Sequence, residues 1–318
     1  MNVEALKRME LYNFIKDEKE MEWFFNHVLD DLSGDPYHSY LMCIATRPKK
    51  LTSEERIQFG ISGSNGVMLR EEIIAPRGKE RIWNFANFKQ HIARYECNKE
   101  GMITKTGLSY PQKSLSVMFY CEPSDERMVS NFILNYGATI QKELNDALIK
   151  GNTDGVKAQL EKLTNLTKKT KSCHAENTAK RYTHFDFDIR KDLIDDKEAI
   201  HEAANVIRSV ANDFFGKGSA FIIRTFGGFH VLVKNKTLIN GVMKLKQISK
   251  EDREAIFGTD NKKIGTNPIN GFVFYVEENY SYTFEKEDKI KQQKFIPLPG
   301  SNMYDNFVPY IINKEDFE

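Results

Sequence analysis

The stretch SAFIIRTFGGFHVLVKNK, residues 219 to 236, limits the possible folds more than any other part of the chain. Its two apolar runs are broken at Gly227 and Gly228, and adjacent glycines let a backbone turn tightly, so the stretch predicts a β-hairpin. Upstream, THFDFDI (183 to 189) alternates with period two. That places Phe185, Phe187 and Ile189 on one face of a strand and His184, Asp186 and Asp188 on the other. Between the two lies DDKEAIHEAANVIRSVANDFF, with an acidic first turn and a stop at Gly216-Lys217-Gly218, which predicts a helix.

The remaining chain is organised around similar signals. Over the first 34 residues, Leu6, Met9, Leu11, Phe14, Met21, Phe24, Phe25, Val28 and Leu32 recur at roughly helical spacing until Gly34 and Pro36. SYLMCIATRPKK (39 to 50) reads as a buried strand emptying onto a basic loop, and the Gly- and Ser-punctuated stretch 57 to 78 as loops and short strands. KSLSVMFYCEP (113 to 123) is a second strand, and 124 to 150 one or two helices. Residues 151 to 181 are polar, with weak periodicity, and suit a solvated helix or a flexible connection. A charged helical stretch near 248 to 257 precedes GFVFYVEE (271 to 278), read as a strand, and KFIPLPGSN (294 to 302), a final strand and turn. These signals divide the chain into an N-terminal α/β subdomain (1 to 150), a basic connecting segment (151 to 181) and a C-terminal subdomain (182 to 318). Strands and helices alternate without a regular βαβ rhythm, which predicts a mixed-sheet α/β or α+β fold.

Composition excludes several classes. With 318 residues, 40% of them hydrophobic, the chain can bury a core without disulfide or metal staples. Its 46 Lys+Arg against 45 Asp+Glu leave a net charge of +1, which rules out a uniformly basic coat for nucleic acid but not a local positive patch. No run reaches 18 consecutive apolar residues, so no membrane span is expected. The charged start and four scattered cysteines predict a cytosolic protein with reduced thiols. Cys173 and His174 are adjacent without a second ligand pair, so zinc is not expected.

Two carboxylates on one strand face stand roughly 6.5 to 7 Å apart at the backbone and can converge on one cation or flank two. Without a cation their repulsion would raise one pKa. The same triplet also suits an edge strand with a solvated acidic face. Arg224, Thr225 and His230 around the glycines form a set of donors suited to a phosphate group, although a lone His230 also suits a satisfied core position.

A strand of the form Phe185-Asp186-Phe187-Asp188, a helix, a hairpin from Arg224 to His230 and a later Phe295-Ile296-Pro297-Leu298-Pro299-Gly300-Ser301 together resemble the archaeo-eukaryotic primase superfamily, including phage and plasmid primase-polymerases. The strands running into Arg47 and Lys49 and from Ser114 to Pro123 are also similar to phage members. The resemblance implies a mixed-sheet catalytic core with an RRM-like second half. It implies template-directed nucleotidyl transfer on single-stranded DNA from NTPs or dNTPs, in the host cytoplasm if the protein is phage-encoded. Asp186 and Asp188 would hold two Mg²⁺ or Mn²⁺ ions, and His230, with Arg224, Thr225, Arg47 and Lys49, would contact the nucleotide. The family's third carboxylate has no clean counterpart here: Asp288 is the first choice by its distance from Ile296, with Glu285 and Glu278 as the other candidates.

Three further readings stay open. The chain could be a catalytically degenerate relative that binds nucleic acid or nucleotide. It could be a two-metal nuclease or a sugar-nucleotide transferase, neither of which requires the Gly-Gly-x-His hairpin. With no G-x-x-x-x-G-K-[ST] sequence present, any helicase would be a separate partner.

Overall fold

The computed structural model describes residues 12–29, 37–47, 50–60, 67–76, 83–97, 102–103, 107–166, 169–170, 181–247, 268–285 and 295–318. Among them are eight helices and eight strands. In chain order these are α1 (Glu18–Val28), β1 (His38–Thr46), α2 (Ser53–Gln58), β2 (Val67–Ile74), α3 (Phe85–Cys97), β3 (Leu115–Asp125), α4 (Glu126–Ile149) and α5 (Thr153–Thr164). The second half adds β4 (Tyr182–Asp188), α6 (Lys197–Phe215), β5 (Ala220–Arg224), β6 (Gly228–Lys234), α7 (Leu238–Gln247), α8 (Pro268–Asn279), β7 (Ile296–Pro297) and β8 (Tyr310–Ile311). The strands form two four-stranded sheets, β2-β1-β3-β7 and β4-β6-β5-β8. Every strand pair is antiparallel, so the architecture is α+β and the expected mixed sheet is corrected. No helix among the described residues is long and apolar enough to cross a membrane.

The hairpin and alternation expected around residues 183 to 236 form β4, β5 and β6. Both β4 and β5 run antiparallel to β6, so they are parallel to each other, with α6 crossing between them and β6 inserted: a split β-α-β unit. Asp196 caps α6, its carboxylate accepting from the Glu198 and Ala199 amides. The helix buries Ala203, Ile207, Val210, Ala211, Phe214 and Phe215 against Phe185, Phe187, Phe229 and Val231 of the sheet. Each large side chain so buried contributes about 1.5–3 kcal/mol. The sheet's other face adds Phe221, Ile223 and Leu232 to a core shared with Met42, Ile44, Val117 and Phe119 of the first sheet.

Two expectations need correction. Residues 271 to 278 lie in α8, not in a strand. An apolar run of this length does not separate a strand from a buried helix, and Pro268, at the first helical position, favours the helix. Phe272, Val273 and Val276 point into the α6 core. The N-terminal helix begins at Glu18, and Phe14, expected within it, lies ahead of it in a non-helical segment. Asp17 caps the helix through the Glu20 amide, while the Lys16 and Asp17 amides both bind the Gly300 carbonyl at 2.9 Å. Leu6, Met9, Leu11, Leu32 and the stretch 248 to 257 lie outside the described residues. The one or two helices expected over 124 to 150 are a single helix, α4 (Glu126–Ile149), with Ser124 and Asp125 ending β3, and the connecting segment contains α5, which packs on α4.

The last segment joins the two sheets. β7 pairs with β3 in the first sheet, and β8 pairs with β5 in the second. Gly300, at φ +76, makes the turn after β7. A side chain there would stand 2.3 Å from the Asp17 carbonyl.

Among the described glycines Gly228 has the tightest surroundings: an added Cβ would lie 1.8 Å from the Phe187 carbonyl oxygen, whereas one at Gly227 would meet only Asp188 Oδ1, at 3.5 Å. Urea denaturation should therefore show Gly228→Ala losing more than about 2 kcal/mol and Gly227→Ala less than about 0.5 kcal/mol. Equal losses would remove the close-approach account.

Candidate active site on the inner face of the second sheet

Because β4 alternates, burying Phe185 and Phe187 against α6 and α8 turns His184, Asp186 and Asp188 to the sheet's opposite face. The register then chooses their neighbours. Asp186 stands opposite His230 and Asp188 opposite Gly228. His230 Nε2 is 3.4 Å from Asp186 Oδ1, and His230 Nδ1 is 2.6 Å from His184 Nε2, the two rings meeting edge to edge with centres 4.7 Å apart and planes 25° apart. The result is a line from Asp186 through His230 to His184. Both nitrogens of His230 therefore face protein groups, and a contact from Nε2 to a phosphate requires it to leave Asp186.

Glu285 lies at the other edge of β4. Ile189 and Phe284 form an antiparallel bridge, flanked by hydrogen bonds from the Glu285 amide to the Asp188 carbonyl (2.9 Å) and from the Arg190 amide to the Thr283 carbonyl (3.0 Å). Phe284 is buried against Phe187. Strand alternation then puts Glu285 opposite Asp188, on the acidic side. Its carboxylate is 3.6 Å from Lys191 Nζ, whose side chain is 90% exposed, so the pair is weak. The backbone of Glu278 is in the last turn of α8, and Asp288 lies outside the described residues.

Arg224 and Thr225 are buried in the hairpin turn. Arg224 Nη1 donates to the Thr225 carbonyl and, at 2.9 Å, to the Gly228 carbonyl, and the guanidinium lies over Phe229 and Phe307. Thr225 Oγ1 accepts from the Gly228 amide at 3.3 Å, and its amide donates to the Gly228 carbonyl at 2.9 Å. Burial lowers the Arg224 pKa.

The loop after β1 reaches the same turn through a contact the sequence did not suggest. Lys50 Nζ is 3.6 Å from the centre of the Phe226 ring and 2.5 Å from Asp305 Oδ2, and the Arg47 guanidinium lies 5.3 Å from the centre of the Tyr304 ring. Asp305 and Asn306, at φ 58 and 60, form a tight turn closed by the Phe307 amide on the Tyr304 carbonyl. Lys49, Cys173 and His174 lie outside the described residues.

Asp186, Asp188 and Glu285 are hard oxygen donors of the kind that suit Mg²⁺ or Mn²⁺. Among the described residues, no three His, Cys, Asp or Glu side chains already stand at cation-binding spacing, so these acids would have to close on an ion. Comparison with protein-family models, with curated proteins and with solved structures gave no match.

Burial pushes the His230 pKa down to about 3, while the Asp186 carboxylate pulls the other way. A base with its pKa lowered in the folded state takes up its proton on unfolding, so stability should fall as pH drops from about 6.5 toward 3. Denaturation between pH 7 and 4 should show the wild type losing up to about 1.4 kcal/mol per pH unit more than His230→Gln. Parallel curves would remove this account.

Proposed function

We propose that the protein is a template-directed nucleotidyltransferase of the primase-polymerase type, using Asp186, Asp188 and Glu285 to hold divalent cations. The observation that carries this reading is the register that sets Asp186 against His230 and Asp188 between Gly228 and Glu285. It supports the reading because the family's two motifs, far apart in sequence, meet on one sheet face. The split β-α-β unit with its four-stranded antiparallel sheet also suits the RRM-like half of such a core.

In this proposal Glu285 takes the place that the sequence first assigned to Asp288. Cations held by these acids would supply activation of a primer 3′-hydroxyl and neutralisation of charge at the α-phosphate and departing pyrophosphate. The chain's own contribution is positional. The Phe185 and Phe187 anchors hold the two aspartates in place. Gly228 keeps the turn close to Asp188, and Arg47 and Lys50 bring positive charge to the hairpin tip for a triphosphate or template strand.

A second reading, a nucleotide- or DNA-binding protein without catalysis, is favoured by the acids' lack of a preformed cation cluster and by the engagement of both His230 nitrogens.

Incorporation of labelled nucleotides on single-stranded DNA with Mn²⁺ or Mg²⁺ separates the two. Asp186→Ala and Asp188→Ala should each reduce synthesis by at least about 100-fold, and Glu285→Ala more than Asp288→Ala. Unchanged synthesis in either aspartate variant sinks the enzyme reading, and binding without incorporation in the wild type establishes the second.

A further inference from the structure

His184 has a place in this site that neither the resemblance nor the proposed chemistry assigns. It lies two residues before Asp186 on the same strand face, and its Nε2 meets His230 Nδ1 at 2.6 Å. The Asp186 carboxylate is an acceptor only, so a lone pair on His230 Nε2 aimed at it from 3.4 Å would be repelled. Nε2 therefore carries the proton. On a neutral ring Nδ1 is then the acceptor, and the donor opposite it is His184 Nε2–H. His230 is 5% exposed, so the opposite tautomer would set a lone pair against the Asp186 carboxylate away from water and would oblige His184 to turn from donor to acceptor as well.

We propose that His184 is a positioning residue: through its hydrogen bond to His230 it fixes the tautomer and orientation that hold Asp186, and so controls cation binding without touching a cation or a nucleotide. The coupling to cations rests on the reading of Asp186 as a ligand. Its physical basis is general, since groups that hydrogen-bond behind a metal ligand fix its direction, and losing one weakens binding 10- to 100-fold. The two rings also fill space against each other edge to edge, so the hydrogen bond must be tested separately from ring packing.

His184→Phe keeps a ring and removes the donor, whereas His184→Gln keeps a donor and removes the ring. In the ¹⁵N-labelled full chain, long-range ¹H–¹⁵N correlation of the histidine rings should show His230 protonated at Nε2 with a hydrogen-bonded Nδ1. His184→Phe should lose that pattern and His184→Gln retain it. Mn²⁺ titration followed by electron paramagnetic resonance should show about tenfold weaker binding for His184→Phe and less than about threefold for His184→Gln. An unchanged His230 spectrum in His184→Phe overturns the proposal. So does weakening by His184→Gln as large as that by His184→Phe, which would show that a donor at this position is not what holds Asp186, or Mn²⁺ affinity indifferent to His184→Phe while Asp186→Asn abolishes it. If Asp186→Asn itself leaves Mn²⁺ binding unchanged, the proposed function falls instead, and the ring spectrum alone decides the role of His184.

Discussion

The close approach of β6 to β4 at Gly228 is the constraint on which the rest of the site depends. The Phe187 carbonyl occupies the space a side chain would need, and this contact pins the pairing of Asp188 with Gly228 and of Asp186 with His230. The aromatic core enforces the same register independently. A slip by one residue would turn Phe185 and Phe187 out of their contacts with Phe272 and drive the aspartates into that core, at a cost no local hydrogen bond could offset. Packing on one face of the strand thereby sets the electrostatics of the other.

The C-terminal segment ties this arrangement to the first sheet. Its strands β7 and β8 pair with different sheets. Asn313 Oδ1 accepts from the Ile222 amide, Asp316 takes a two-bond contact from Arg208, and buried Glu20 accepts from the Ile311 amide and pairs with Lys314. Between the two strands, the turn at Asp305 and Asn306 meets Lys50 and Phe226. Basic residues of the first half and the β5-β6 hairpin of the second are thus held at one edge by a segment far from both in sequence.

Much of the second half was legible because its signals are local. Alternation from Thr183 to Ile189, the acidic first turn of α6 with its Gly216-Lys217-Gly218 stop and the paired glycines each act over a few residues and need no distant partner to be read. The apolar run within the helix at 268 to 279 carries no period that separates it from a strand, and the Pro268 start together with packing against α6 and the sheet makes it helical. Distance along the chain favours Asp288 over Glu285 and says nothing about which residue stands beside the bridge to β4. The Lys50–Asp305 pair spans 255 positions and left no trace in the sequence.

The amino-acid sequence by itself determined the elements from Thr183 to Lys234 and which side chains share a face, because periodicity and turn chemistry are properties of neighbouring residues. Only the tertiary structure decided that His184, His230 and Asp186 form one line, that Glu285 stands beside Asp188, and that residues 296 and 297 belong to the first sheet. Those outcomes depend on which strands pair and in what register. Register is settled by the fit of whole buried faces against each other, which is a property of the folded chain rather than of any stretch of it.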